Sequence, residues 1–172
     1  MPIKVIPIRI GLSYQEKMLN DIHYEEEKLL EDMGAGNLTK EEYCKRYNEM
    51  SSKTMEIGEV FDSLEDLEKR LGVSPLDYNT IKAIIDHERK HAEIAKRYGV
   101  TSKFVYISGW IHETVSTIYF MPEEAENWTY EQEKEFIIST TDVGNPSRED
   151  KLGMKIELAA LEYFAQGKAD CK

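Results

Sequence analysis

FVYISGWIHETVSTIYFM, residues 104–121, is the stretch that decides the fold class. β-Branched and aromatic side chains, which suit a pleated and half-buried surface, dominate it, and Ser108-Gly109 offers a break, so it reads as two short strands. The same stretch carries Ile107, Trp110, Ile111, Thr114, Val115 and Ile118 at helical spacing, and periodicity alone does not separate the two. Composition tips the reading to strand, with the Ile3–Ile10 segment as a joining third strand.

On either side the chain is written for helices. In Ser13-x-x-Glu16, Thr39-x-x-Glu42 and Thr129-x-x-Gln132 a hydroxyl can cap an exposed amide while the later side chain reaches back. Ser74-Pro75 and Pro146-Ser147, the latter followed by Arg148-Glu149-Asp150, add two starts. Stops fall at Gly34, Gly72, Gly99, Gly144 and Gly167. Five helices follow, near 13–33, 39–71, 75–98, 129–141 and 147–166. The expected fold is α+β and helix-dominated, with about five helices and a small two- or three-stranded β element. It forms a single domain over 1–172, with helical hairpins over 13–98 and the β element and C-terminal helices over 103–166.

Within 39–71, Tyr43, Tyr47, Met50, Thr54, Ile57, Phe61, Leu64, Glu68 and Leu71 follow a 4-3 spacing, the seam of a long helix against a near-antiparallel neighbour. The seam serves either packing within the chain, favoured by the short GVSP connection after Leu71, or a homodimer through helix 39–71. Tyr43, Tyr47, Tyr78 and Tyr98 read as core aromatics, and Trp110 and Trp128 as core or rim.

The chain has 172 residues, 41% of them hydrophobic, enough for one packed core. Its net charge of -11 argues against nucleic acid or an anionic membrane as partner, because phosphate binding needs a basic footprint. A charged content of 32%, rich in Glu and Lys, is the composition of thermophile proteins. Cys44 and Cys171 form no disulfide framework and no CxxC pair, which fits a reducing compartment. MPIKVIPIRIGLS is interrupted by Pro7 and charged at Lys4 and Arg9, so it reads as neither signal peptide nor membrane span. The expected location is the cytoplasm. Glycine-rich phosphate loops and GxSxG elbows are missing, which removes nucleotide-binding and α/β-hydrolase chemistry.

The candidate chemistry lies on helix 75–98. Ile81, Ile84, Ile85, Ala92, Ala95 and Tyr98 build its apolar face, Glu88 and His91 fall inside that face, and His87 sits at its margin. An inward carboxylate and imidazole must be paired or metal-bound, since an unpaired buried charge costs several kcal/mol. Pairing with tyrosines or with lysine and arginine stems would satisfy them without a metal. Arg89 and Lys90 fall on the opposite face with Asp86 and Glu93. His23, among Glu25, Glu26 and Glu27, reads as a surface histidine.

Over five residues, His87-Glu88-x-x-His91 resembles the zincin class of metallopeptidases. The resemblance implies Zn²⁺ held by His87 and His91, and a third ligand downstream. It also implies Glu88 as general base for a water that attacks the carbonyl of a peptide or protein substrate. Two departures stand out. Zincins usually keep the middle positions uncharged, where this chain has Arg89 and Lys90, and the position at which metzincins place a histidine is Arg97. The resemblance leaves two placements for the third ligand, and one is Glu113, as in gluzincins, which needs 104–121 to be helical. The other placement is Asp150 or Glu149 in GNPSRED, at the start of a later helix, as in the peptidase domain of membrane-tethered AAA proteases. The strand reading favours Asp150.

Two other functions fit the same residues. Glu88-Arg89-Lys90-His91 is also the ExxH of ferritin-like metal-binding bundles, with Glu26 and Glu56 or Glu59 as further ligands, though no glutamate stands three before His112 to make a second ExxH. The other is a non-enzymatic acidic helical interaction or assembly protein that uses helix 39–71 as its surface and binds no metal.

Overall fold

Antiparallel pairing organises the chain around a three-stranded sheet. The computed structural model describes the backbone of residues 6–108 and 113–170, with the side chains of residues 17–108 and 113–165. Strands β1 (Glu59–Phe61), β2 (Thr101–Ser108) and β3 (Glu113–Phe120) lie in the order β1-β2-β3. The β2–β3 register runs from Thr101 opposite Phe120 to Ser108 opposite Glu113. The two-strand reading of 104–121 therefore holds, while Trp110 and His112 lie outside the described residues.

Phe104, Val105, Tyr106 and Ile107 are all buried, with no alternation, because β2 is the central strand and both its faces are covered. On one face Phe104, Tyr106 and Val115 pack against Leu67 and Leu71 of α3 (Leu64–Leu71) and Ile81 and Ile85 of α4 (Tyr78–Arg97). On the other, Val105, Ile107 and Ile118 meet Ile22 of α1 (Ile6–Gly34) and Ile57 of α2 (Lys40–Ile57). Helices α5 (Tyr130–Thr141) and α6 (Arg148–Asp170) complete the fold, after a 3-10 turn at Glu123–Asn127. The chain is thus helix-dominated α+β, with six α-helices among the described residues. None of its helices is long and apolar enough to cross a membrane, among the residues described.

Local capping explains where several helices begin. Thr39 and Thr129 form capping boxes with Glu42 and Gln132, and Asp77 caps α4 by accepting from the Thr80 amide at 3.0 Å. Ser74, expected to start α4, instead donates its hydroxyl to the Leu71 carbonyl and accepts from the Leu76 amide. Ser13 lies inside α1, which already begins at Ile6, so residues 6–10 are helical and form no strand. Gly167 lies inside α6 and does not stop it. Tyr78, expected in the core, is exposed, whereas Tyr98 packs edge-on against Phe136 and lies near Trp128.

The single helix expected over 39–71 is broken into α2, β1 and α3. Gly58 is the reason. A Cβ there would lie 2.3 Å from Val105 Cγ1 and 3.1 Å from the Tyr106 carbonyl oxygen, so the backbone can approach β2 only without a side chain. The chain then turns extended, pairs Val60 with Val105, and restarts as α3 with the Ser63 hydroxyl accepting from the Asp66 amide. The residues of the expected seam are therefore divided among separate contacts. Met50, Tyr43 and Tyr47 pack with α1 and α6, Ile57 joins the sheet's second face, and Leu64 and Leu71 join its first. Arg70 ties the restart to β1 through bonds of 2.7 and 2.9 Å to Glu59, and lies over the Tyr106 ring.

Between α2 and α6, the Tyr47 hydroxyl donates to Glu157 at 2.7 Å. Burial raises the Glu157 carboxyl above its ordinary value, against the lowering effect of that hydrogen bond. The folded chain therefore keeps a proton that the unfolded chain releases. Stability should fall as pH rises from about 4.3 towards the raised value, with a slope of up to about 1.4 kcal/mol per pH unit. Glu157→Gln keeps an acceptor for Tyr47 but cannot titrate. Urea unfolding from acid to neutral pH should show a shallower decline for this variant than for the parent chain.

Candidate metal centre

On α4 the buried positions Ile81, Ile85, Glu88, His91 and Ala95 follow the helical repeat and face the interior. Glu88 and His91 are 6% and 4% exposed, so both polar groups need partners. Arg89 and Lys90 are exposed, and Arg89 pairs with Asp86 at 2.8 Å. Charged middle positions are therefore compatible with this helix because its other side is open to water.

His87 stands one turn before His91, and the two Nε2 atoms are 3.0 Å apart. The third member comes from the start of α6. Ser147 and Asp150 cap that helix reciprocally. The Ser147 amide donates to Asp150 Oδ2 at 2.7 Å and the Asp150 amide to Ser147 Oγ at 3.0 Å. This fixes the carboxylate at a helix N-terminus, where the dipole favours negative charge. From there Oδ2 lies 3.1 Å from His87 Nε2 and 3.5 Å from His91 Nε2.

His91 Nδ1 lies 2.5 Å from the Thr140 carbonyl oxygen. A carbonyl can only accept, so Nδ1 carries the proton, and Nε2 of the neutral ring presents a lone pair. That lone pair points at a carboxylate oxygen and a second imidazole nitrogen. A proton or a cation must sit among them. Burial opposes charging His91, but the hydrogen bond and charge of Asp150, the Thr140 carbonyl and Glu88 outweigh it, so its pKa is raised. For Asp150 burial likewise opposes charge, but the hydrogen bonds from His91 and the Ser147 amide hold its pKa well below the carboxylate range.

Among the described residues, His87, His91 and Asp150 form the group able to hold a metal ion. Compared with known families, curated proteins and solved structures, the chain matches none. The group's three edges of 3.0, 3.1 and 3.5 Å are close to the roughly 3.3 Å separating two ligands of a tetrahedral zinc bound at about 2.0–2.1 Å. The Thr140 carbonyl behind His91 is the kind of outer partner that orients a ligating histidine. The side chains of His87 and Asp150 are each 23% exposed, so water reaches this group.

Glu88 lies on the buried side of the same helix and accepts a hydrogen bond from the Thr117 hydroxyl on β3. Burial pushes its carboxyl up to about 7, with the Thr117 hydrogen bond and His91 pulling it down and Asp150 pushing it further up. Glu113 is not in the group. It stands at the start of β3 opposite Ser108, with a buried Oε2 that has no hydrogen-bond partner. Glu149 is exposed. The glutamates of the ferritin-like reading lie elsewhere. Glu26 meets His23 at the α1 surface, Glu56 is exposed, and Glu59 is bound to Arg70.

Thr117 and Thr140 were not legible as site residues. Thr140 contributes a backbone carbonyl, which leaves no mark in a sequence. Thr117 shares a strand face with Val115, so alternation along β3 could have placed it towards α4.

Proposed function

We propose that this chain is a zinc-dependent hydrolase of metallopeptidase type, with His87, His91 and Asp150 as metal ligands and Glu88 as general base. One observation carries the proposal: His87 Nε2, His91 Nε2 and Asp150 Oδ2 lie within 3.5 Å of one another, close to the edge lengths of a tetrahedral face, and the helix that carries the two histidines also supplies a buried glutamate. The motif's likeness to zincins supports a peptide or protein as substrate. When bound, zinc supplies the Lewis acidity that makes water a competent nucleophile near neutral pH.

The chain's own residues do the rest. His87 and His91 present their Nε2 atoms from adjacent turns of one helix, and the Thr140 carbonyl keeps the His91 ring in its tautomer. Asp150 would add one negative charge to the residues that hold the ion, and its side chain, like that of His87, is partly exposed. Glu88 accepts the proton of the attacking water and returns it to the leaving amine.

Elemental analysis of protein purified without chelators tests this directly. About one zinc per chain is expected, falling sharply in Asp150→Asn, which keeps an acceptor for the Ser147 amide but loses the ligand charge. Chelator-sensitive cleavage of fluorescein-labelled casein is the matching activity. Two irons per chain would favour a ferritin-like protein, and metal-free protein without turnover would leave an acidic interaction domain.

A further inference from the structure

Glu88 is tethered by a neutral side chain from another element, and the local sequence around the motif gives no hint of it. Thr117 Oγ1 donates to Glu88 Oε2 across a separation of 29 residues. Thr117 pairs with Phe104 in the sheet, and its strand neighbour two positions back, Val115, packs on the α3–α4 side. Strand alternation thus aims Thr117 at α4. A threonine at this place adds no charge to a crowded site. Its hydroxyl holds one carboxylate oxygen and leaves the other to take a proton. Glutamate has a long side chain, and without a fixed donor its carboxyl would be free to take another orientation or pair elsewhere.

We infer that Thr117 is a positioning residue whose hydroxyl fixes the Glu88 carboxylate in the orientation it needs as a base. The consequence for turnover rests on the hydrolase proposal, whereas the contact itself does not. Valine matches threonine in shape and strand preference but lacks the hydroxyl, and serine keeps it, so Thr117→Val and Thr117→Ser isolate the hydrogen bond.

The test uses the full chain labelled at the glutamate δ-carbon, with the Glu88 carboxyl resonance identified by its loss in Glu88→Gln. In Thr117→Val that resonance should move or split, and in Thr117→Ser it should return close to its original position, with zinc content unchanged in both. Casein turnover should fall about 100-fold in kcat in the valine variant with KM held, since a displaced base loses alignment. Serine should recover most of it. An unmoved Glu88 resonance in Thr117→Val would overturn the inference, as would equal loss of turnover in the serine and valine variants. If the parent chain cleaves no casein, the hydrolase proposal fails by itself, and the carboxyl resonance still decides the role of Thr117.

Discussion

Glu88→Gln should abolish most hydrolysis while leaving zinc in place. The substitution is nearly isosteric, and its amide oxygen can still accept from Thr117, so the packing of α4 against β3 is kept. What is lost is a group able to take a proton. General-base catalysis contributes roughly 10²- to 10⁴-fold, and a loss of that size in kcat is expected. Because no ligand is removed, elemental analysis should still find the parent zinc content. A variant that turned over casein at the parent rate would reject Glu88 as base, whatever its metal content. Stability should change little, since a neutral amide is easier to bury than a carboxylate.

His91→Ala should have the larger structural effect, losing both the metal and part of the fold's stability. His91 is buried and joins three elements. It sits on α4, its Nδ1 donates to the Thr140 carbonyl at the end of α5, and its Nε2 faces Asp150 on α6. Removing the ring leaves a cavity and a carbonyl without its donor. The combined cost is about 2–4 kcal/mol, measured by urea unfolding with chelator present so that metal loss does not contribute. His87→Ala is the control, since His87 is partly exposed and makes no such bond to α5. It should lose zinc as fully with a clearly smaller loss of stability. Equal stability losses in the two variants would contradict the bridging role of His91.

How far this could be read from the sequence depended on the range of the interactions involved. Capping at Thr39 and Thr129 is local, so the helix starts were legible there. The inward placement of Glu88 and His91 followed from helical spacing alone. The preference for Asp150 over Glu113 came from reading 104–121 as strands, which put Glu113 on β3, outside the group of His87, His91 and Asp150. The break at Gly58 was hidden because its cause is Val105, a contact far along the chain, while Phe61 and Leu64 happened to continue the helical spacing across the gap. The third strand is equally hidden, since β1 is three residues long and shows no alternation of its own. Thr140 acts through its backbone, where side-chain patterns carry no information.

The triangle of His87, His91 and Asp150 also joins residues far apart along the chain, His87 and Asp150 being separated by 63 positions. An ion held there would act as a clasp, closing a long loop that the unfolded chain must otherwise close at an entropic cost. The apparent stability of the whole molecule would then follow the free zinc concentration, rising by about 2.7 kcal/mol at a hundredfold excess over the dissociation constant. Such a chain would couple its lifetime to the metal supply around it, since the ion would tie the start of α6 to α4.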